Sequence, residues 1–116
     1  MKQAVIILLL LITCLSPLWG MRKALVIGNS NYKEQVLRNS INDASDVYNT
    51  LKGLGFSASL FTDLNREGFF RAVGEFVSTL TPSDEVVFFY SGHAAQIEGK
   101  NYLIPVNEYI DSATRC

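Results

Sequence analysis

The sequence predicts an α/β fold: a three-layer α/β/α sandwich built on a mostly parallel sheet. Three observations predict it. Short apolar runs alternate with segments of helical period, in the order β-α-β-α-β-hairpin. The third run, Glu85 to Tyr90, is apolar almost without interruption, which implies cover on both faces as in a central parallel strand. The connections between runs are long enough to be helical crossovers, and their right hand orders the strands second, first, third. A chain of 116 residues fits one small domain.

Each element has its own signal. Ala24-Leu25-Val26-Ile27, closed by Gly28-Asn29, reads as a buried strand. A polar loop from Ser30 to Val36 follows. Within it Asn31-Tyr32 reads either as a loop anchor or as facing a cleft. Leu37, Ile41, Ala44, Tyr48 and Leu51 recur at +4, +3, +4 and +3, which is helical spacing. Ser40 and Asp43 form an S-x-x-D start signal, and Gly55 marks the stop. Phe56 to Phe61 reads as the second strand. Asn65 caps a second helix with the stripe Phe69, Val73, Phe76 and Leu80, weakened by Gly68 and Gly74. Thr81-Pro82-Ser83-Asp84 is a turn. Beyond the third strand, Ala95–Glu98 and Asn101–Ile104 flank Gly99-Lys100 as a small hairpin ending at Pro105. Phenylalanines 69, 70, 76, 88 and 89 are expected in the core.

Residues 1–20 read differently from residues 21–116. Met1-Lys2 precedes an apolar run of about a dozen residues, short of the roughly 18 that span a bilayer. Ser16-Pro17-Leu18-Trp19-Gly20 follows. The pattern suits a secretory signal peptide, or a short membrane anchor. Met21-Arg22-Lys23 can instead open a cytoplasmic domain. Residues 21–116 form the candidate folded domain.

Composition removes several classes of function. Residues 21–116 carry nine basic and eleven acidic side chains, and no basic block exists beyond Arg22-Lys23, so no nucleic-acid partner is expected. Two cysteines, Cys14 and Cys116, exclude a disulfide framework or zinc cluster, and the single histidine, His93, excludes a multi-histidine metal site. No metal and no cofactor are expected. Gly28-Asn29-Ser30-Asn31 lacks the glycine spacing of a nucleotide loop. Ser91 lies outside any G-x-S-x-G elbow. Asp63 and Asp84 lack the acid pair that a phosphoacceptor site needs.

The strand order leaves Val86–Tyr90 at an open edge, and a flat apolar edge demands a partner. The sequence supplies no further parallel strand, so the chain is expected to be incomplete as a folding unit. At the carboxyl end of the same strand stands His93, where ligand chemistry gathers in open α/β sheets. A lone imidazole there suits a general base or the activator of a nucleophile, and Gly92 beside it would let the backbone turn.

These residues carry a resemblance. Lys23–Asn29, Leu37–Ala44, Leu51–Phe56, Phe88–Ala94 and Asn101–Asn107 resemble, in order and spacing, the caspase-like cysteine peptidases, in the flavour of the metacaspase, paracaspase and bacterial branch. The resemblance implies a caspase-like α/β/α fold and peptide-bond hydrolysis through an acyl-enzyme. It implies that His93 is the dyad histidine that assists a cysteine thiolate, with Gly92 in the same turn. The residue after the histidine is usually glycine in the family, and its N–H helps bind the oxyanion; here it is Ala94, which would be strained if the turn needs positive φ. Asp43 matches an acidic residue of the specificity pocket, which implies protein or peptide substrates cleaved after Arg or Lys. The simpler reading of Asp43, a helix-start acid, stands beside it.

The nucleophile is the departure from the family. Its cysteine ends the next strand, about 50 residues past the histidine in caspases. Cys116 comes only 23 residues after His93, with no apolar strand before it, and Cys14 lies in the leader-like segment. The expectation is the histidine-bearing half of a caspase-like domain, truncated before the cysteine strand and inactive alone. That missing half would pair with residues 85–90. The alternative is a non-catalytic pseudo-protease that binds partners through the same cleft.

Overall fold

The computed structural model describes residues 4–14, 20–33 and 35–107. Among the described residues five strands form one sheet: β1 (Ala4–Cys14), β2 (Arg22–Gly28), β3 (Ser57–Thr62), β4 (Glu85–Ile97) and β5 (Lys100–Leu103). Two helices, α1 (Ser40–Gly53) and α2 (Arg66–Ser78), make the crossovers. β2 runs parallel to both β3 and β4, giving the expected order second, first, third for that part of the sheet.

Period-2 alternation sorts the side chains of β2 and β4 to opposite faces. Ala24, Val26, Val87 and Phe89 pack with Ala44 and Leu51 of α1. Leu25, Ile27, Phe88 and Tyr90 pack with Phe69, Val73 and Phe76 of α2. Helices on both faces make the three layers. β2 is buried on both sides, which is why it reads as an apolar run rather than an alternating one.

The helix signals are partly borne out. Asn65 caps α2, its side-chain oxygen accepting the Gly68 N–H at 2.8 Å. Gly55, at φ 91°, follows the end of α1 as expected. The start of α1 is shifted by one residue: Asn39 occupies the cap position without a side-chain cap, and Ser40 is already helical. Leu37 lies outside the helix and joins Tyr32 and Val106 in a separate small core under the Ser30–Arg38 loop. Phe70, expected in the core, faces solvent at 68% exposure, because the buried side of α2 is the Phe69–Val73–Phe76 stripe.

Two expectations about β4 are corrected. The edge beside Val86–Tyr90 is not open: β1 pairs with it antiparallel, from Ala4 opposite Ala95 to Cys14 opposite Glu85. The strand also does not stop at Tyr90. It continues through Ser91-Gly92-His93 to Ile97, flanked by β1 up to Ala95 and by β5 from Ala94 to Ile97. Glu98 and Gly99 then turn the chain with φ 51° and 80°, the two positive values of a type I′ hairpin.

Candidate active site

β2 ends where Gly28 pairs with Ser91, and His93 is the second β4 residue beyond that pair. His93 therefore stands at the carboxyl-end rim of the parallel strands, the ligand-binding end of such sheets. The loop after β2 folds over it. Asn29, fully buried, stitches this corner: its N–H donates to the Ser91 carbonyl at 2.9 Å, and its side-chain oxygen accepts the Leu64 N–H at 2.9 Å. Asp63, in the left-handed region at φ 54°, accepts the N–H groups of Ser30 and Asn31, each at 2.9 Å. The Ser30 hydroxyl donates to the Leu37 carbonyl, closing the loop.

This anchored loop delivers Tyr32 to His93. The two rings meet edge to face, centroids 4.4 Å apart and planes at 63°. Tyr32 is buried, which bears out the loop-anchor reading, and the ring it packs against is that of the candidate base. Its hydroxyl accepts the His93 backbone N–H at 2.9 Å and approaches the Tyr90 hydroxyl to 3.1 Å. The Tyr90 hydroxyl donates to the His93 carbonyl at 2.7 Å, and the Tyr32 hydroxyl reaches the Ile104 carbonyl at 2.9 Å. Burial pushes both phenol pKa values up, so both hydroxyls stay protonated.

Gly92 serves this arrangement differently from the expected turn. A Cβ on it would lie 2.4 Å from the Tyr90 hydroxyl and 2.7 Å from that of Tyr32. Gly92 sits in extended strand, and its missing side chain is the room in which the two hydroxyls meet. Ala94 is likewise in extended strand and absent from the positive-φ residues, so alanine there is unstrained. It is fully buried, with β1 on one side and β5 on the other.

His93 is 3% exposed, and neither ring nitrogen completes a hydrogen bond among the described residues. Burial holds its pKa below the usual histidine value; the Gln35 backbone opposes this by less, its approach falling short of hydrogen-bond geometry. The ring is thus neutral, buried and without a hydrogen-bond partner among the described residues. Buried unpaired nitrogens are costly and uncommon, and they concentrate at sites with another use.

The other candidates fall at graded distances from this rim. Asp43 is exposed on the first turn of α1, whose start packs against Gly28, where a Cβ would meet the Ser40 carbonyl oxygen at 2.9 Å. Because Gly28 neighbours Ser91, that turn lies at the same rim as His93. Cys14 sits opposite Glu85, eight β4 residues from the level of His93, or about 26 Å at the usual strand rise. Cys116 lies outside the described residues. Among the described residues no group of three or more His, Cys, Asp or Glu side chains could hold a metal ion.

Residues 21–116 match the peptidase C14 family described as the caspase domain. The chain belongs to the caspase family. Two curated relatives agree with that placement. The human mucosa-associated lymphoid tissue lymphoma translocation protein 1 is 32% identical over 92 residues, and its mouse homolog is 30% identical over 92 residues. Each alignment covers 78% of this chain but only 11% of the relative, so the chain spans about a tenth of the length of these proteins. Within this caspase-family fold, Asn29, Asp63 and Tyr32 are the site-building residues that periodicity did not single out for a role at His93. Asn31-Tyr32 after a strand-ending Gly28-Asn29 was the nearest signal.

Proposed function

We propose that this chain carries the histidine half of a caspase-like cysteine endopeptidase site, with His93 as the base. The observation that supports the reading is the chain's single imidazole on β4 at the rim beyond the last β2 pair, in a caspase-family chain. In the proposed chemistry His93 takes the proton of a cysteine thiol supplied from outside the described residues. The thiolate adds to the peptide carbonyl. The imidazolium then gives its proton to the departing amine as the C–N bond breaks, leaving a thioester that water hydrolyses. Ala94 is assigned the oxyanion N–H, once the strand beside it yields that edge. Gly92 keeps the rim in shape by leaving room for the tyrosine hydroxyls. Asp43, exposed at the same rim, is assigned to substrates with Arg or Lys before the cut. Proteins or peptides are the substrates, and no cofactor takes part.

The edge of β4 has two proposed occupants. β1 fills it in the structure. The same apolar run also suits an export leader or short anchor, with a cytoplasmic domain if translation starts at Met21; among the described residues no helix is long and apolar enough to cross a membrane. Removal of residues 1–20 would clear the edge for a cysteine-bearing strand. Sequencing the mature N-terminus tests this: a retained Met1 contradicts cleavage.

The full gene product should release the reporter from Arg- and Lys-terminated peptides, and His93→Ala should abolish release. An unchanged rate removes His93 from the mechanism. Asp43→Asn should reduce turnover of basic reporters by about tenfold or more, the weight of one charge-assisted contact, with at most the small loss of thermal stability that a first-turn acid accounts for. Retained preference leaves only the helix-start role. A second reading, a non-catalytic scaffold, is favoured by one observation: both imidazole nitrogens are sealed from solvent. No peptidase activity in a product that holds a cysteine strand would select it.

A further inference from the structure

The proposed chemistry uses the His93 ring and leaves unexplained why two tyrosines converge on its backbone. An N–H inside a strand ordinarily goes to a neighbouring strand's carbonyl. The His93 N–H goes instead to the hydroxyl of Tyr32, 61 residues earlier in the chain. The His93 carbonyl receives the Tyr90 hydroxyl at 2.7 Å as well as the Ile104 N–H at 3.1 Å. Both polar groups contributed by the one histidine to the main chain are thereby held by phenols. The proton count closes. The short contact assigns the Tyr90 proton to His93, and the Tyr32 proton goes to Ile104 or is shared with the Tyr90 oxygen. Gly92 leaves the two hydroxyls space.

We propose that Tyr32 and Tyr90 are positioning residues for His93, a phenol clamp that grips its peptide on both sides while the Tyr32 ring fixes the imidazole edge on. The clamp bears on catalysis through the proposed role of His93 as base. It leaves both imidazole nitrogens without a partner among the described residues, because it holds the residue by its backbone. A hydrogen bond to either ring nitrogen would fix the ring but occupy the atom that must move a proton.

The chain's single histidine makes the test unambiguous. Proton–carbon NMR of the His93 ring is compared in the wild-type chain, Tyr32→Phe, Tyr90→Phe and, as control, Tyr48→Phe on α1. Tyr32→Phe keeps the aromatic ring and deletes only the hydroxyl. The clamp predicts shifted, broadened ring signals in Tyr32→Phe and Tyr90→Phe, and none in Tyr48→Phe. It also predicts about fivefold to tenfold faster exchange of the His93 amide in Tyr32→Phe. Ring signals and amide exchange identical to wild type in the folded variants overturn it. If both variants fail to fold, the wild-type exchange decides: an unprotected His93 amide contradicts the clamp, and a strongly protected one supports it. A failed peptidase assay would remove the catalytic role and leave the clamp, whereas unmoved ring signals would remove the clamp and leave the catalytic role.

Discussion

The two ends of the parallel sheet treat buried polar groups in opposite ways. At the end where β2 and β4 begin, Asp84 is buried and fully engaged. It accepts the Met21 N–H at 3.0 Å and the Thr81 N–H at 2.8 Å, and it pairs with Lys23 at 2.8 Å. Lys23, led by its own contact, and these backbone donors hold the Asp84 carboxyl well below the usual carboxylate range. At the other end His93 is equally buried, yet its ring nitrogens have no partners among the described residues, while its backbone is gripped by two hydroxyls. One end spends its polar groups on stability. The other holds one back, and in a caspase-family chain that is where catalysis is proposed.

The sharpest way to break this contrast is Gly92→Ala. Its Cβ would strike both tyrosine hydroxyls, so overpacking and the loss of the His93 backbone contacts should together cost about 3 kcal/mol. Denaturant unfolding measures it; a change below about 0.5 kcal/mol would show that the hydroxyls do not occupy that space.

A smaller effect is expected from Asp84→Asn. The folded carboxyl pKa is depressed, so its stabilisation is present above the unfolded value of about 3.9 and is lost as pH falls below it. The variant should be less stable at neutral pH and should lose part of the acid limb below about pH 4. An unaltered acid limb would show that the Lys23 pair and its backbone donors contribute nothing.

His93→Gln sharpens the other side. Its folded pKa is also lowered, but here the neutral form is the one the fold prefers. Wild-type stability should be flat above about pH 6.5 and decline below it, by at most about 1.4 kcal/mol per pH unit, as the unfolded chain takes the proton first. The variant should lose that slope. A slope retained between about pH 5 and 6.5 would assign it to another group.

How much of this was legible in sequence follows the range of each signal. The order of β3, β2 and β4, the Asn65 cap and the Gly99 hairpin rest on local residues and crossover handedness, and they were readable. Ser91-Gly92-His93 reads as a turn because serine and glycine are turn residues, whereas β1 and β5 pair its backbone into strand. Phe70 looked like core because hydrophobicity alone does not say which side of α2 meets the sheet. At the site, His93 and the rim position were readable from strand topology and family resemblance. Tyr32, Asn29 and Asp63 were not assigned to it, because their contacts join segments about 30 to 60 residues apart that no local period connects.

At the rim a neutral imidazole, without a hydrogen-bond partner among the described residues, is kept under cover. The most direct measurement is the NMR titration of the lone His93 ring in the folded chain. The expected midpoint lies below the ordinary value of about 6.5, with ring signals of a seated side chain throughout. A midpoint at or above 6.5, with the averaged signals of a freely turning ring, would contradict it.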